Sequence, residues 1–317
     1  MKRLLFFIFS VSLSANVLAQ QEQQYTQFMY NKLAFNPGYA GSKGVPCFTA
    51  IYRNQWIGLV GAPETQVFSF NTLTSNKRVG LGLNFVRNTI GISERFTIDG
   101  AYAYKIRINK AVLGIGLQAS LRYYGLDFSD DRLVANTPLN VDGAIEAGAQ
   151  NKYLPNFGMG AYLDTEYFYV GISAPRLLKN NLDFDDLGSI LSAEVRHLFA
   201  MAGVRIPLGE KIQLAPQVLV KYLQEGPLDY DINLNLLLQN KVTLGTTYRH
   251  GGSSIDGRAE SFDFLFGVQA VDRLFLGFSY DMTLSEIRDH SRGSVEALVQ
   301  YCIIKNRNKD FINPRYF

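Results

Sequence analysis

The sequence predicts an all-β protein built as one antiparallel transmembrane β-barrel of about fourteen strands. Three observations carry that expectation. An export leader opens the chain, and no run long enough for a spanning helix follows it. Apolar and polar residues alternate along the body with the two-residue period of strands. Short turns and long connections sort to opposite ends. Composition agrees. Of 317 residues 47% are hydrophobic and only 19% charged, with 22 Phe, 18 Tyr and 28 Gly. A helical membrane protein is far more apolar, and a disordered chain has fewer aromatics. The 31 basic and 28 acidic residues, net +3, are too even and too dispersed for a nucleic-acid surface, so no nucleic-acid partner is expected.

The first element, residues 1–19, is expected to be a signal peptide. Met1, Lys2 and Arg3 form its positive end, Leu4 to Leu13 is apolar apart from Ser10 and Ser12, and Val17-Leu18-Ala19 supplies the cleavage site. The apolar run is too short to span a membrane. No Cys stands at the cut, so no lipoprotein anchor is expected.

Residues 20–46 do not alternate. They are Gln-rich, then read Tyr25-Thr26-Gln27-Phe28-Met29-Tyr30-Asn31, then Asn36-Pro37-Gly38-Tyr39-Ala40-Gly41, where Asn36-Pro37 and Gly41 are turn chemistry. The segment is either a periplasmic tail or a plug. Tyr25, Gln27 and Asn31 would be poorly placed in a free tail, which favours packing at or in the periplasmic mouth of the barrel.

Residues 47–303 form the barrel, with 304–317 as a periplasmic tail. Strands start near Phe48, Glu64, Arg78, Glu94, Ala111, Asn156, Tyr167, Glu194, Lys211, Leu228, Lys241, Ser261, Asp272 and Arg292. From Ala111 to Tyr123, Leu113, Ile115, Leu117 and Leu121 oppose Gly114, Gly116, Gln118, Ser120 and Arg122. From Ser261 to Ala270, Phe262, Phe264 and Phe266 oppose Asp263, Gly267 and Gln269. The faces of the segment at Glu194 do not separate, and Pro216 interrupts the segment at Lys211.

Every second connection is tight, as at Ser75-Asn76-Lys77, Ile108-Asn109, Asp164-Thr165-Glu166, Leu208-Gly209-Glu210, Gln239-Asn240 and Val271-Asp272. The intervening ones, 57–63, 88–93, 125–155, 175–193, 251–260 and 282–291, are longer; only Gln224–Pro227 is short among them. That sorting describes an outer-membrane barrel with periplasmic turns and extracellular loops. Apolar faces would meet outer-membrane lipid, and Arg53, Asp99, Arg122, Asp263 and Asp281 would line the interior. A soluble sandwich, which would bury the apolar faces in a dry core, has no reason to sort its loops.

Candidate site residues follow from the strand map. Arg53, Asn54 and Gln55, at the outer end of the first strand, are placed to anchor the N-terminal segment, with Asp281 as counter-charge to Arg53. Trp56, the only Trp, suits the aromatic girdle. Cys47 opens the first strand and Cys302 closes the last, so the pair either bridges the closing seam or stands as two thiols. The Gly-x-Gly runs at Gly80, Gly114 and Gly158 open no helix and so are not nucleotide sites. They keep the inward face small where something fills the lumen. His197, His250 and His290 show no metal-ligand spacing. Ser291 beside His290, and Ser253 and Ser254 after His250, read as polar rim residues rather than a catalytic pair. No catalytic activity, cofactor or metal is expected.

The block Gln24 to Asn31 with Asn36 to Gly41, then Tyr52-Arg53-Asn54-Gln55-Trp56, and more weakly Ser279-Tyr280-Asp281-Met282-Thr283-Leu284-Ser285, resembles the PorP/SprF family over nearly the whole mature chain. One departure is visible. Relatives often have His-Glu after Gly-Ser, where this chain has Val295-Glu296. The resemblance implies an outer-membrane part of the type IX secretion system of Bacteroidota, whose surface adhesins can drive gliding. It implies that the protein helps a particular cargo reach or stay on the surface. SprF-like members serve adhesins bearing a type B C-terminal secretion signal; PorP-like members associate with a periplasmic peptidoglycan-binding protein. The competing expectation is a plugged channel for a small or hydrophobic solute.

Overall fold

A computed structural model describes residues 24–128, 149–182, 194–223, 228–251 and 259–304. The expected leader, the centres of the loops 125–155, 175–193 and 251–260, and the tail beyond residue 304 lie outside the described residues.

Fourteen staves close a barrel: β1 (Cys47–Asn54), β2 (Glu64–Leu73), β3 (Val79–Ile90), β4 (Ser93–Ile108), β5 (Ala111–Asp127), β6 (Ala149–Asp164), β7 (Phe168–Ala174), β8 (His197–Val204, continued by Ile206–Pro207), β9 (Ile212–Leu223), β10 (Asp229–Leu238), β11 (Val242–His250), β12 (Ala259–Val271), β13 (Leu274–Thr283) and β14 (Ser294–Cys302). Each pairs antiparallel with its neighbours in sequence, and β14 pairs with β1 from Cys47↔Cys302 to Asn54↔Val295. Closure leaves no open edge, the condition for crossing lipid with strands. No helix among the described residues is long and apolar enough to cross a membrane.

Burial runs opposite to that of a soluble protein. Arg53, Asp231, Asp263 and Glu296 are buried, whereas Leu117, Phe157, Phe264 and Ile172 are exposed. Alternation therefore points charge into the lumen and apolar surface toward lipid. Arg53, Asp99, Arg122, Asp263 and Asp281 all face inward and are buried.

Three features differ from the expectation. The connection at 88–93 is a two-residue turn, because Ile90 pairs with Ser93 and Thr89 with Glu94. Strand β6 begins at Ala149, since its ladder with β5 runs through Pro155. The strand near Glu194 begins at His197, and Glu194 turns inward instead.

The lumen is filled by residues 24–46. Three short 3₁₀ turns, Phe28–Tyr30, Lys32–Ala34 and Pro37–Tyr39, fold this segment into the barrel. Phe28, Leu33, Phe35 and Tyr39 are buried with the wall residues Val86, Tyr162, Phe199 and Leu298. Each such side chain contributes about 1.5–3 kcal/mol of apolar burial. The segment is not confined to the periplasmic mouth. It starts level with the outer end of β1 and reaches Cys47 at the short-turn end.

Candidate functional site

The site is the contact between the plug and its wall. It begins with strand register. Arg53 on β1 stands directly across from Glu296 on β14, Asp281 on β13 across from Ser294, and Asp231 on β10 across from Arg249 on β11. These inward positions create a buried charge network near the outer end of the lumen. Arg53 Nη1 lies 2.7 Å from Asp281 Oδ2 and 3.4 Å from Glu296 Oε2. Arg249 Nε lies 3.0 Å from Asp231 Oδ1, which Lys221 flanks on its other oxygen at 3.1 Å. Arg249 Nη1 also lies 3.8 Å from Asp281.

The plug inserts Thr26 and Gln27 into this network. Arg53 donates to Thr26 Oγ1 at 2.8 Å, and that hydroxyl donates to Asp281 at 2.7 Å. The amide N–H groups of Thr26 and Gln27 donate to the two oxygens of Glu296 at 3.0 and 2.9 Å. A buried carboxylate thus takes two backbone donors that a non-alternating segment would otherwise leave unfilled.

A second set of contacts holds the other end. Asn36 is fully buried. Its Oδ1 accepts from Gly38 N at 2.8 Å, and its amide donates to the carbonyls of Ala161 and Ile172. Lys105 donates to the Gly38 carbonyl and to Ser42 Oγ, and Gly41 N donates to Asn71 Oδ1. Ser173 Oγ donates to the Phe35 carbonyl at 2.7 Å.

The Gly-x-Gly runs lie under these contacts. A Cβ on Gly80 would stand 1.9 Å from the Ala40 carbonyl oxygen, and one on Gly116 would stand 2.3 Å from Gly38 N. A Cβ on Gly160 would meet Asn36 Oδ1 at 2.3 Å. The wall is bare where the plug backbone touches it.

Tyr25 packs edge-on against Phe35 at 5.7 Å. Asn31 is buried and its carbonyl accepts from Ala34 N. Pro37 opens the third turn, and Gly41 adopts φ 79°, a conformation glycine takes without penalty. Asn54 ends the ladder opposite Glu64 and Val295, and Gln55 N donates to the Pro63 carbonyl, so their described bonds lead to the first loop rather than to the plug. Trp56 holds φ 53° and donates its backbone N–H to Ser294 Oγ at 3.1 Å. Cys47 and Cys302 form a disulfide with Cα atoms 4.1 Å apart. His197 Nδ1 lies 3.0 Å from the Val195 carbonyl, and His250 stacks on Tyr230. Among the described residues no group of His, Cys, Asp and Glu could hold a metal ion. Ser253 and Ser254 lie outside the described residues.

Sequence reasoning missed Glu296, Arg249 and Asp231 as members of the network. It also missed Glu194, which pairs with Arg122 at 2.7 Å and accepts from Asn156 and Asn180. Alternation assigns such residues to a face, but only register says which of them meet.

The sequence matches, over residues 17–301, the family described as type IX secretion system membrane protein PorP/SprF. The chain belongs to this family. It is an outer-membrane β-barrel component of that secretion system. Among curated proteins, none matches the sequence. Solved structures similar to it include the Ralstonia pickettii toluene transporter TbuX, at 8% identity and TM-score 0.50, covering 85% of this chain and 92% of that one. Another is the CymD monoaromatic hydrocarbon channel, at 12% identity and TM-score 0.50, covering 86% and 92%. At these identities the likeness shows the barrel fold alone.

Proposed function

We propose that this PorP/SprF barrel binds a specific adhesin-like cargo of the secretion system and helps export it or hold it at the cell surface. The observation behind the reading is the filled lumen. Thr26 and Gln27 are held by Arg53, Asp281 and Glu296, and Asn36 is held by the wall of β6 and β7. A barrel packed with its own N-terminal segment suits a docking platform better than an open conduit. Rim loops on a rigid barrel are natural recognition surfaces. The expected cargo is an adhesin with a type B C-terminal signal, serving gliding where the cell glides. A periplasmic peptidoglycan-binding protein is the expected partner at the short-turn rim. The protein acts by binding, without catalysis or cofactor.

Deleting the gene and quantifying the surface and medium proteomes tests this. One or a few large adhesins should leave the surface. An unchanged surface proteome would overturn the reading. A second reading, a plugged channel for a small or hydrophobic solute, draws on the fold likeness to TbuX and CymD. It requires the deletion strain to lose uptake of a solute while its surface proteome stays intact.

A further inference from the structure

Closure joins every stave to both neighbours, but β6 outruns β7 at its outer end. Its ladder with β5 continues to Asp127↔Ala149, whereas its ladder with β7 stops at Met159↔Ala174. Residues 149–158 are therefore strand paired to strand on one side only, the longest such run among the described residues. Successive residues of a strand turn their backbone N–H and C=O to opposite neighbours. Thr165 N donates to the Phe168 carbonyl at the β6–β7 turn, so the odd residues of β6 face the β7 side. Pro155 obeys this parity: its missing N–H falls on the open side and costs the β5 ladder nothing. After Ala174 the chain turns inward, with Pro175 and Arg176 buried. It returns to the edge only to donate from Leu177 N to the Phe157 carbonyl and from the Asn180 amide to the Pro155 carbonyl. Farther out, Asn151 and Tyr153 are exposed, and their open-side N–H and C=O meet no partner among the described residues. The Tyr153 ring contacts that of Tyr123 at 5.4 Å, and Gln150, Asn151 and Lys152 lie just beyond it. Tyrosines at a membrane-water boundary with amides beyond them place this edge outside the hydrocarbon, where open backbone is not tolerated.

We propose that the outer edge of β6, at Asn151 and Tyr153, binds an extended segment of the secreted cargo by strand addition. The inference rests on the adhesin reading and names the contact that reading leaves open. An edge of this kind presents donors and acceptors alternately at strand spacing, and another extended backbone is the complement that fills both. The edge stands at the long-loop end, the side on which the cargo is read to dock. The competing occupant is a second copy of this chain, and geometry opposes it. Staves tilt roughly 35–45° from the membrane normal, so two copies in one membrane would cross their β6 strands at about 70–90°. They would meet near a single point, far short of the roughly 1,000 Å² of a stable interface. A segment outside the membrane is free to align with the strand.

The test uses proline at the two open positions. Asn151→Pro and Tyr153→Pro remove edge N–H groups while leaving the β5 ladder, which uses the even residues, its bonds. Surface proteomes are compared for the parent, the gene deletion, the double-proline strain and a Tyr153→Thr strain. Whichever adhesin the deletion removes should fall roughly tenfold on the double-proline cells, as the loss of two backbone hydrogen bonds requires. It should stay at the parent level with Tyr153→Thr, which keeps the N–H and changes only the side chain. Heat-dependent gel mobility of the outer-membrane fraction establishes that each barrel is folded. If the double variant does not fold, Tyr153→Pro alone carries the comparison. Full retention of the adhesin on a folded proline barrel would overturn the proposal, whether the edge is then filled by the barrel's own loops or by a second copy. Loss with Tyr153→Thr as well would place the contact in the ring and overturn strand addition. An unchanged surface in the deletion strain would remove the adhesin reading and this inference with it, whereas adhesin lost on deletion but kept by the proline barrel sinks this inference alone.

Discussion

Arg53 sits among Asp281, Glu296 and Thr26 with almost no access to water. Removing one partner of such a pair strands the other, which costs about 3–5 kcal/mol. Arg53→Ala and Asp281→Ala should therefore each destabilise the folded barrel strongly. The double variant should lose less than the sum, by about 0.5–3 kcal/mol of coupling. Strict additivity in urea unfolding would show that the pair does not act as one. This pair was legible in the sequence because strand ends placed both residues near the outer rim on the polar face. Glu296 and Arg249 were not, since their meeting depends on which residues stand opposite across the ladder. A second residue-scale prediction concerns pH. Burial lowers Lys32 and Lys43 from 10.5 to about 7. Between those values the unfolded chain binds more protons than the folded one, so stability rises with pH across the window and is flat below it. The urea midpoint should be higher near pH ~9 than near pH ~7, and Lys43→Met should reduce that difference. An unchanged difference in Lys43→Met would remove Lys43 from the account.

The plug and the glycine-bearing strands are one design seen from two sides. Gly80 on β3 faces the Ala40 carbonyl, whereas Gly100 on β4 has nothing within 4 Å of its missing Cβ. Valine suits a strand at both positions on backbone grounds. Gly80→Val should nevertheless displace the plug, because the steric conflict is with backbone that has no rotamer to change. Gly100→Val should be tolerated. Protease access to residues 24–46 and conductance in planar bilayers distinguish the two; a silent, protease-resistant Gly80→Val would show that the plug shifts without leaving. Strand positions were largely legible because lipid and lumen impose opposite chemistry on alternate residues. Legibility failed where that contrast weakens. Pro155 hid the first part of β6, and the mixed faces near Glu194 concealed a residue whose task is to hold Arg122, Asn156 and Asn180. The path of the plug was least legible, because its 3₁₀ turns carry no periodic signal and the contacts that seat it in the lumen are with strands distant in sequence.

At the scale of the molecule, closure depends on one seam between the first and last strands. Eight residue pairs join β1 to β14, and the Cys47–Cys302 bridge ties the short-turn end of that seam across a separation of 255 residues. Ile303 N donates to the Pro46 carbonyl just outside the bridge, which makes the cysteines a pair that exchanges no backbone hydrogen bonds with each other. In such pairs the strands approach most closely, and the 4.1 Å Cα separation fits that position. Pro46 also ends the plug, so the bridge fixes the point where plug becomes wall. At the outer end the same seam is held by Arg53, Glu296 and the plug residues between them. The seam is therefore fastened at both ends by different chemistry. A cross-link over so long a loop restricts the unfolded chain by about 5 kcal/mol in the chain-entropy account. Replacing both cysteines by serine should lower the unfolding temperature while leaving a closed, plugged barrel, since the ladder and the outer latch remain. Adding Arg53→Ala to that variant should open the seam, with a loss greater than the two changes produce separately. Heat-dependent gel mobility of the four proteins, with and without reductant, measures this directly. If the serine variant with Arg53→Ala unfolds no earlier than the separate losses require, the two fastenings act independently, and the ladder alone holds the barrel shut.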